Sequence, residues 1–430
     1  MIKSFFLKGF MIFSLVFILL AIVPARQVLS KEGHKAKRIA GPLHREGMKI
    51  IDSRGEEVIF RGVNVSGMEW GAGYPWVNGK CTDPKWGHRY GCYGIPPDSV
   101  YDNIAEWGFN MVRVPICWAN IENEPGGPYN EEYLKAVDHI VQECAKRNIA
   151  VVFSMHQWVW SPNFLTIKRS IGRRIHGNGW PVWLYPPEWF ATNPVTGKKR
   201  QKTLSDGLDG QTAASREFFK NERIVNGGKI QDRFIKMWVH VAKRYAAYPN
   251  VVGADIINEP YQNNGKELED LYIKAGNAIS KVNSNMLLIY EKSLSSRHLD
   301  ISYILRDPLF QKKGVLEAHM YPASWDKDGV DAKGRPMKSG KKMLMQDLSK
   351  AKAANVPLWI GEFHCIMEKG HKVKAEQTRK MLDYMKKSVN GITDISWSYW
   401  AYQRDAQPLD GETGNGPVNM ELVRALQEGF

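Results

Sequence analysis

Eight short apolar, β-branched runs recur along the chain: "FRGVNV", "NMVRVPI", "IAVVFSM", "VVGADII", "MLLIY", "GVLEAHM", "VPLWIG" and "DISWSYW". Between several of them apolar residues keep helical spacing: Leu134, Val137, Val141 and Cys144; Ile235, Trp238, Ala242 and Tyr245; Leu268, Leu271, Ala275 and Ala278. Strands that alternate with helices form a parallel sheet, which either closes into a barrel or stays open and doubly wound. The polar residues discriminate between the two. Arg113 and Trp118, His156, Asn258 with Glu259, Glu291, His319 with Tyr321, Glu362 and Trp400 stand at or just past the carboxyl ends of different runs. An open sheet gathers ligands at one crevice, whereas a barrel brings all its strand ends to one rim. The pattern therefore predicts an α/β fold, a single-domain (β/α)8 TIM barrel.

The chain is longer than such a barrel needs. Residues 67–97 and 157–230, after the first and third strands, are long, rich in Trp, Tyr, Gly and Pro, and are expected to project over the rim; loops of this length in a compact domain usually carry function. Ahead of the barrel, "MKIIDSRGEEVIFRGVNV" reads as two short strands around a Ser-Arg-Gly turn. No glycine-rich phosphate loop follows the first strand, no short-period repeat stands out, and no linker separates a second domain.

Residues 1–30 carry Lys3 and Lys8 before the apolar run "MIFSLVFILLAIV", then small residues at "VPA" and "VLS", which predicts a signal peptide cleaved near Ala25 or Ser30 and a mature domain over 31–430. The run is shorter than the roughly 18 residues of a spanning helix, so secretion or a periplasmic location is expected ahead of an uncleaved anchor. The formal charge of +14 lies in short groups such as "KKR" and "KRSIGRR" with no motif for reading bases, so no nucleic-acid partner is expected. That balance suits contact with a membrane surface or an anionic glycan, and a monomer is expected. Among five cysteines, Cys81 and Cys92 enclose a short loop that oxidation after export would bridge, worth on the order of 3 kcal/mol. Cys81, His88 and Cys92 lack a fourth ligand at zinc-like spacing, so no metal is expected; Cys144 falls on an apolar helix face, where it reads as core.

Closure of the barrel would bring Glu259 and Glu362, 103 residues apart, into one cavity. A buried carboxylate without work is costly. Two opposed carboxyls are what cleavage of a glycosidic bond requires: one delivers a proton to the leaving oxygen while the other stays ionised.

The strings "RGVN", "VRVP", "NEP", "HMYP" and "GEF", in this order and at strand ends, resemble glycoside hydrolase family 5, the cellulase family, over nearly the whole mature chain. The resemblance implies a retaining β-glycoside hydrolase that needs no cofactor. Glu259 would be the acid/base and Glu362 the nucleophile, with carboxyls about 5 Å apart. By the same resemblance Arg113 and Tyr321 donate to Glu362, keep it charged and lower its pKa. Asn258 would bind the sugar 2-hydroxyl, His156 and His319 would contact sugar or orient the carboxylates, and Trp400 would floor the subsite of the reacting sugar, with Trp397 as the alternative on that strand. Glu291 matches no family motif and is expected behind the site. Many members carry an aspartate two residues before the third-strand histidine; here the residue is Ser154.

A β-linked glucan or mannan is the default substrate that the family implies. "MHQWVWSP", "GNGWPVW" and "REFF" through "IQDRFIKMW" are similar to the endoglycoceramidase-like branch, which releases glycans from lipid. Trp158, Trp160, Trp180, Trp183 and Trp189, with Trp70, Tyr74, Trp76 and Trp86, either line sugar subsites or pack the insertions down. A noncatalytic carbohydrate-binding barrel, a charge-driven membrane or nucleic-acid binder, and a transglycosylase are the competing functions.

Overall fold

The computed structural model describes residues 36–430 apart from 71–75, 78–79, 82–95, 165, 169–173, 202, 262–265, 331–333, 335, 365–370, 387–394 and 403–417. The expected signal peptide, the expected Cys81–Cys92 bridge and the side chains of Tyr74, Trp76 and Trp86 lie outside what is described.

All eight expected runs are strands: β1 (Arg61–Asn64), β2 (Met111–Ile116), β3 (Ala150–Met155), β4 (Val251–Asp255), β5 (Leu287–Glu291), β6 (Gly314–Met320), β7 (Leu358–Phe363) and β8 (Ser396–Tyr399). Each pairs in parallel with the next, and β8 closes on β1, with Trp397 opposite Arg61. A helix follows each strand: α1 (Asp98–Glu106), α2 (Glu131–Lys146), α3 (Ile230–Arg244), α4 (Glu267–Val282), α5 (Pro308–Lys313), α6 (Gly340–Ala354), α7 (His371–Lys386) and α8 (Met420–Gln427). The helical spacing read from sequence is the packing stripe. α2 buries Leu134, Val137, Val141 and Cys144, α3 buries Trp238 and Ala242, and α4 buries Leu268, Leu271 and Ala275. Cys144 is an unbridged core residue, as its helix face predicted.

Period-two alternation sorts the inside of the barrel by height. Near the strand starts, Phe60, Met111, Val152, Leu287, Val315 and Trp359 form one apolar cluster with Leu43, Ile50 and Val58. The last three flank or belong to a three-stranded antiparallel sheet (His44–Glu46, Lys49–Ile51, Glu57–Val58) that plugs the amino-terminal end of the barrel. Further along the same strands the interior turns polar, with Asn64, Arg113, Asp255, Glu291 and Glu317 all buried.

The insertion after β3 reads as loop from its glycines and prolines, yet it contains a helix (Leu204–Lys220) started by a capping box between Thr203 and Asp206. Gly210 interrupts the sequence pattern because it is a contact point: a Cβ there would lie 2.7 Å from the Phe190 ring. Trp160 stacks on Trp180 at 4.0 Å, and Trp180 on Phe234 of α3 at 5.7 Å. Phe218 from the Leu204–Lys220 helix meets Trp180 edge-on at 5.2 Å, and Trp118 does so at 6.0 Å. Trp118, Trp160 and Trp180 are therefore the rivets that fasten the insertion to the barrel, while Trp70, Trp158, Trp183 and Trp189 remain partly exposed.

Candidate active site

Arg113 projects from β2 into the polar half of the barrel, fully buried, and its fork organises the strand ends around it. Nη1 donates to Glu362 Oε1 at 2.5 Å and to Asn64 Oδ1 at 3.0 Å; Nη2 donates to Asp255 Oδ2 and Asn258 Oδ1, both at 2.7 Å. Nε lies 3.2 Å from Glu317 Oε1, an ion pair rather than an aligned hydrogen bond. Burial pulls the guanidinium pKa down, but Glu317, Glu362, Asp255 and Glu291 overcome it and raise it. Arg113 is thus a permanent cation among carboxyls.

Glu362 ends β7 with 3% of its surface exposed, and Tyr321 donates its hydroxyl to Oε2. The expected lowering of its pKa is not what this environment produces. Burial pushes the carboxyl up, Glu259 adds to that, and His319, Arg113 and Tyr321 only partly offset it. Loss of water outweighs three favourable partners.

Glu259, just past β4, holds a positive φ of 45°, a strained backbone for a residue with a Cβ. Three contacts over-determine that backbone. Its N–H donates to the Glu291 carboxyl, and Gln157 Nε2 donates to the carbonyls of Glu259 at 2.7 Å and Asn258 at 3.2 Å. Glu291 thus sits behind the site, as expected.

His319 stands between the two glutamates. Nδ1 is 3.1 Å from Glu259 Oε1 and 3.6 Å from Glu362 Oε2, while Nε2 is 3.1 Å from Glu317 Oε1. One carboxyl oxygen of Glu259, one of Glu362 and a His319 nitrogen all lie within 4.8 Å of one another. Burial opposes a charge on His319, yet Glu362, Glu291, Glu259 and Glu317 raise its pKa well above the ordinary value. Burial likewise lifts Glu259, but the bonded His319 cation prevails and holds it below the usual carboxylate range. Both shifts favour an imidazolium beside an ionised Glu259.

His156 stacks on Trp400 at 5.6 Å, with the planes 16° apart, and its Nε2 is 4.0 Å from Glu362 Oε1. Burial and Arg113 lower its pKa to about 3, so the ring is neutral at physiological pH. Its Nδ1 faces Asn178 Oδ1 at 3.1 Å, a partner supplied by the insertion. Ser154 is fully buried and pairs in register with Asp255, and the polar side chain that faces the His156 ring is Asn178. The two candidate tryptophans differ in location. Trp397 stacks on Phe430 at 6.1 Å on the helix side of β8, whereas Trp400 shares the cavity with His156. Asn258 Nδ2 donates to Gln157 O at 3.1 Å with one of its two hydrogens.

All eight residues proposed from sequence converge: Arg113, His156, Asn258, Glu259, His319, Tyr321, Glu362 and Trp400. Sequence reasoning missed Asp255, Glu317, Gln157 and Asn178. Glu317 was within reach, because period two from His319 places it on the same inner face. Asn178 was not, since nothing local shows where an insertion folds back. Among the described residues, Glu259–His319–Glu362 and Glu291–Glu317–His319 have donor spacings a cation could use. Both His319 nitrogens and both Glu362 oxygens are already engaged within the protein, which disfavours a metal here.

The family model "Cellulase (glycosyl hydrolase family 5)" matches residues 51–403. An endoglucanase of Paenibacillus polymyxa is 22% identical over 60% of this chain and 51% of its own length. An endoglycoceramidase of Cyanea nozakii is 26% identical over 50% of this chain and 41% of its own. The chain thus spans between 36% and 51% of the first curated relatives it matches. An endogalactoceramidase crystal structure shares the fold, with a TM-score of 0.67 at 20% identity, over 90% of this chain and 84% of that one.

Proposed function

The chain belongs to glycosyl hydrolase family 5, and from that premise we propose that it hydrolyses β-glycosidic bonds with retention of anomeric configuration. Glu259 is the acid/base and Glu362 the nucleophile. The observation that carries this reading is that one carboxyl oxygen of each lies within 4.8 Å of one of the other, which accords with the carboxyl separation of about 5–5.5 Å of a retaining pair and not with the roughly 6.5–9.5 Å of an inverting one.

The chemistry follows from the protonation that these surroundings favour. The imidazolium of His319 passes its Nδ1 proton to Glu259 along their 3.1 Å contact, which leaves a neutral acid beside an ionised Glu362. Glu259 then gives that proton to the glycosidic oxygen as a Glu362 oxygen bonds to the anomeric carbon and the bond to the leaving alcohol breaks. In the second step water attacks the same carbon, Glu259 takes the water's proton, and the ester to Glu362 breaks. Arg113 and Tyr321 keep Glu362 aimed throughout, and the free hydrogen of Asn258 Nδ2 is available to the 2-hydroxyl. Trp400 presents a ring face to the sugar.

For the substrate, a glycan joined to an apolar, lipid-like aglycone is the favoured reading. The insertion over residues 157–229 carries twelve Lys and Arg against five Asp and Glu. Among the described residues, Val195, Leu204 and Ile224 in that insertion, Leu294 after β5 and Val330 after β6 are exposed apolar side chains in the segments that follow strands on the carboxyl-terminal side of the barrel. A basic, apolar-tipped rim suits an enzyme working at an anionic lipid surface. The endoglycoceramidase relative supports this reading, and the endoglucanase relative supports a β-glucan chain as the second. The 31–430 domain, its export and a monomeric state belong to the same proposal.

Cleavage assays over glycolipid, cellulose, mannan and mixed-linkage glucan, with the first product anomer followed by NMR, test it. Initial release of the α-anomer from a β-glycoside contradicts retention; rapid cleavage of glucan with none of glycolipid reverses the order of substrates.

A further inference from the structure

One oxygen beneath the sugar site touches both cations that hold the glutamate pair. Glu317 Oε1 is 3.1 Å from Nε2 of His319, whose other nitrogen faces Glu259, and 3.2 Å from Nε of Arg113, whose Nη1 grips Glu362. Glu317 is 1% exposed. A second, independent feature marks the same oxygen: a Cβ on Gly361, the residue before Glu362, would lie 1.6 Å from it. β7 therefore has no side chain at the one place where the Glu317 carboxylate must sit.

We propose that Glu317 is a positioning residue that fixes the His319 tautomer, so that a single proton shuttles between His319 Nδ1 and Glu259 while the Nε2 hydrogen never leaves Glu317. Arg113 Nε against the same oxygen keeps it an acceptor, so Nε2 must be the protonated nitrogen whatever the charge on the ring. Two arrangements then share one geometry: imidazolium with Glu259 ionised, or neutral imidazole accepting from the Glu259 acid. No proton is created or lost between them, and the proton that Glu259 gives to the leaving alcohol is made good by the one it takes from the attacking water. The groups facing this pair are Arg113 from β2, His156 from β3, Asp255 and Glu259 from β4 and its end, Glu291 from β5, Tyr321 after β6, and Glu362 from β7. The inference rests on the reading above, in which Glu259 and Glu362 do the chemistry.

Glu317→Gln tests it with little change of shape. His319 Nε2–H meets the Oε1 position and the Arg113 guanidinium lies 3.2 Å from it, so the amide oxygen occupies it and only the negative charge is lost. Without that charge the His319–Glu259 pair holds its proton less tightly, and the basic limb of the kcat/KM profile moves to lower pH. The less neutralised Arg113 also lowers the pKa of Glu362, which moves the acidic limb the same way. Both shifts are on the order of one pH unit, and Glu317→Asp, which keeps the charge, retains the wild-type profile at reduced rate. A Glu317→Gln profile that superimposes on the wild type, at whatever height, overturns the proposal. Should that variant not fold, 15N NMR of the wild-type His319 ring decides: Nε2 protonated across the titration with Nδ1 alone changing supports it, and a titrating Nε2 overturns it. Full activity of Glu259→Gln would instead remove the acid/base reading and leave the tautomer measurement standing.

Discussion

At the scale of single residues, the site is governed by which carboxyl keeps a proton. Glu259→Gln removes the acid without removing the shape. It should lose about 10²–10⁴-fold in kcat on glycosides of alkyl alcohols and far less on aryl glycosides whose leaving group needs no proton, read by steady-state rates on the two classes. Glu362→Gln should be inactive on both, because no leaving group substitutes for a nucleophile. Asn178 is the residue the insertion lends to the site. Asn178→Ala frees the His156 ring from its 3.1 Å partner and should lower kcat/KM about tenfold, the equivalent of one hydrogen bond of about 1.4 kcal/mol. An unchanged kcat/KM would show that stacking on Trp400 alone orients the ring.

At the scale of elements, the insertion after β3 is held to the barrel by aromatic packing centred on Trp180 as well as by hydrogen bonds such as Trp183 Nε1 to Glu122 O. Trp180 touches Trp160, Phe218, Phe234 and Trp118, so Trp180→Ala should destabilise the protein by about 3–5 kcal/mol, measurable as a lower urea midpoint, with proteolysis beginning between β3 and α3. A variant with the wild-type midpoint would mean that the rest of the insertion anchors itself. This is also where the sequence was least legible. The strands announce themselves because each is a short apolar run with chemistry at one end, and α2, α3 and α4 because helical spacing survives in Leu134 to Cys144 and its counterparts. The Leu204–Lys220 helix does not, since Gly207 and Gly210 break its pattern, the second of them for the sake of packing against Phe190. In the site, the glutamates were legible from their motifs. The pairing of Glu317 with both Arg113 and His319 depends on barrel closure across β2, β6 and β7, which no local pattern encodes.

At the scale of the whole molecule, the barrel keeps an uneven charge balance at its centre: among the described residues, Asp255, Glu259, Glu291, Glu317 and Glu362 surround Arg113 and His319 as the cations. Burial and then Glu317 push Asp255 up to about 7 from 3.8. Folding therefore binds a proton on Asp255 between those values. Its stabilising contribution is complete below pH 3.8 and is lost as pH rises through about 7. Asp255→Asn does not titrate, so its stability relative to wild type should improve from pH 4 to pH 7 and then level off, as followed by denaturant unfolding at fixed pH. A pH-independent difference would place the excess proton on another carboxyl. The acidic limb of activity should likewise lie above the ordinary glutamate value of 4.5, because Glu362 must be ionised to attack and burial makes it hold its proton.

The sheet that packs Leu43, Ile50 and Val58 into the foot of the barrel has a kinetic corollary. With apolar side chains filling the foot of the barrel, the departing alcohol and the incoming water of the proposed reaction both pass on the carboxyl-terminal side, where the glutamates stand. Whatever lingers there after the first bond breaks competes with water for the sugar ester, and the ratio of hydrolysis to glycosyl transfer becomes a matter of traffic rather than of chemistry.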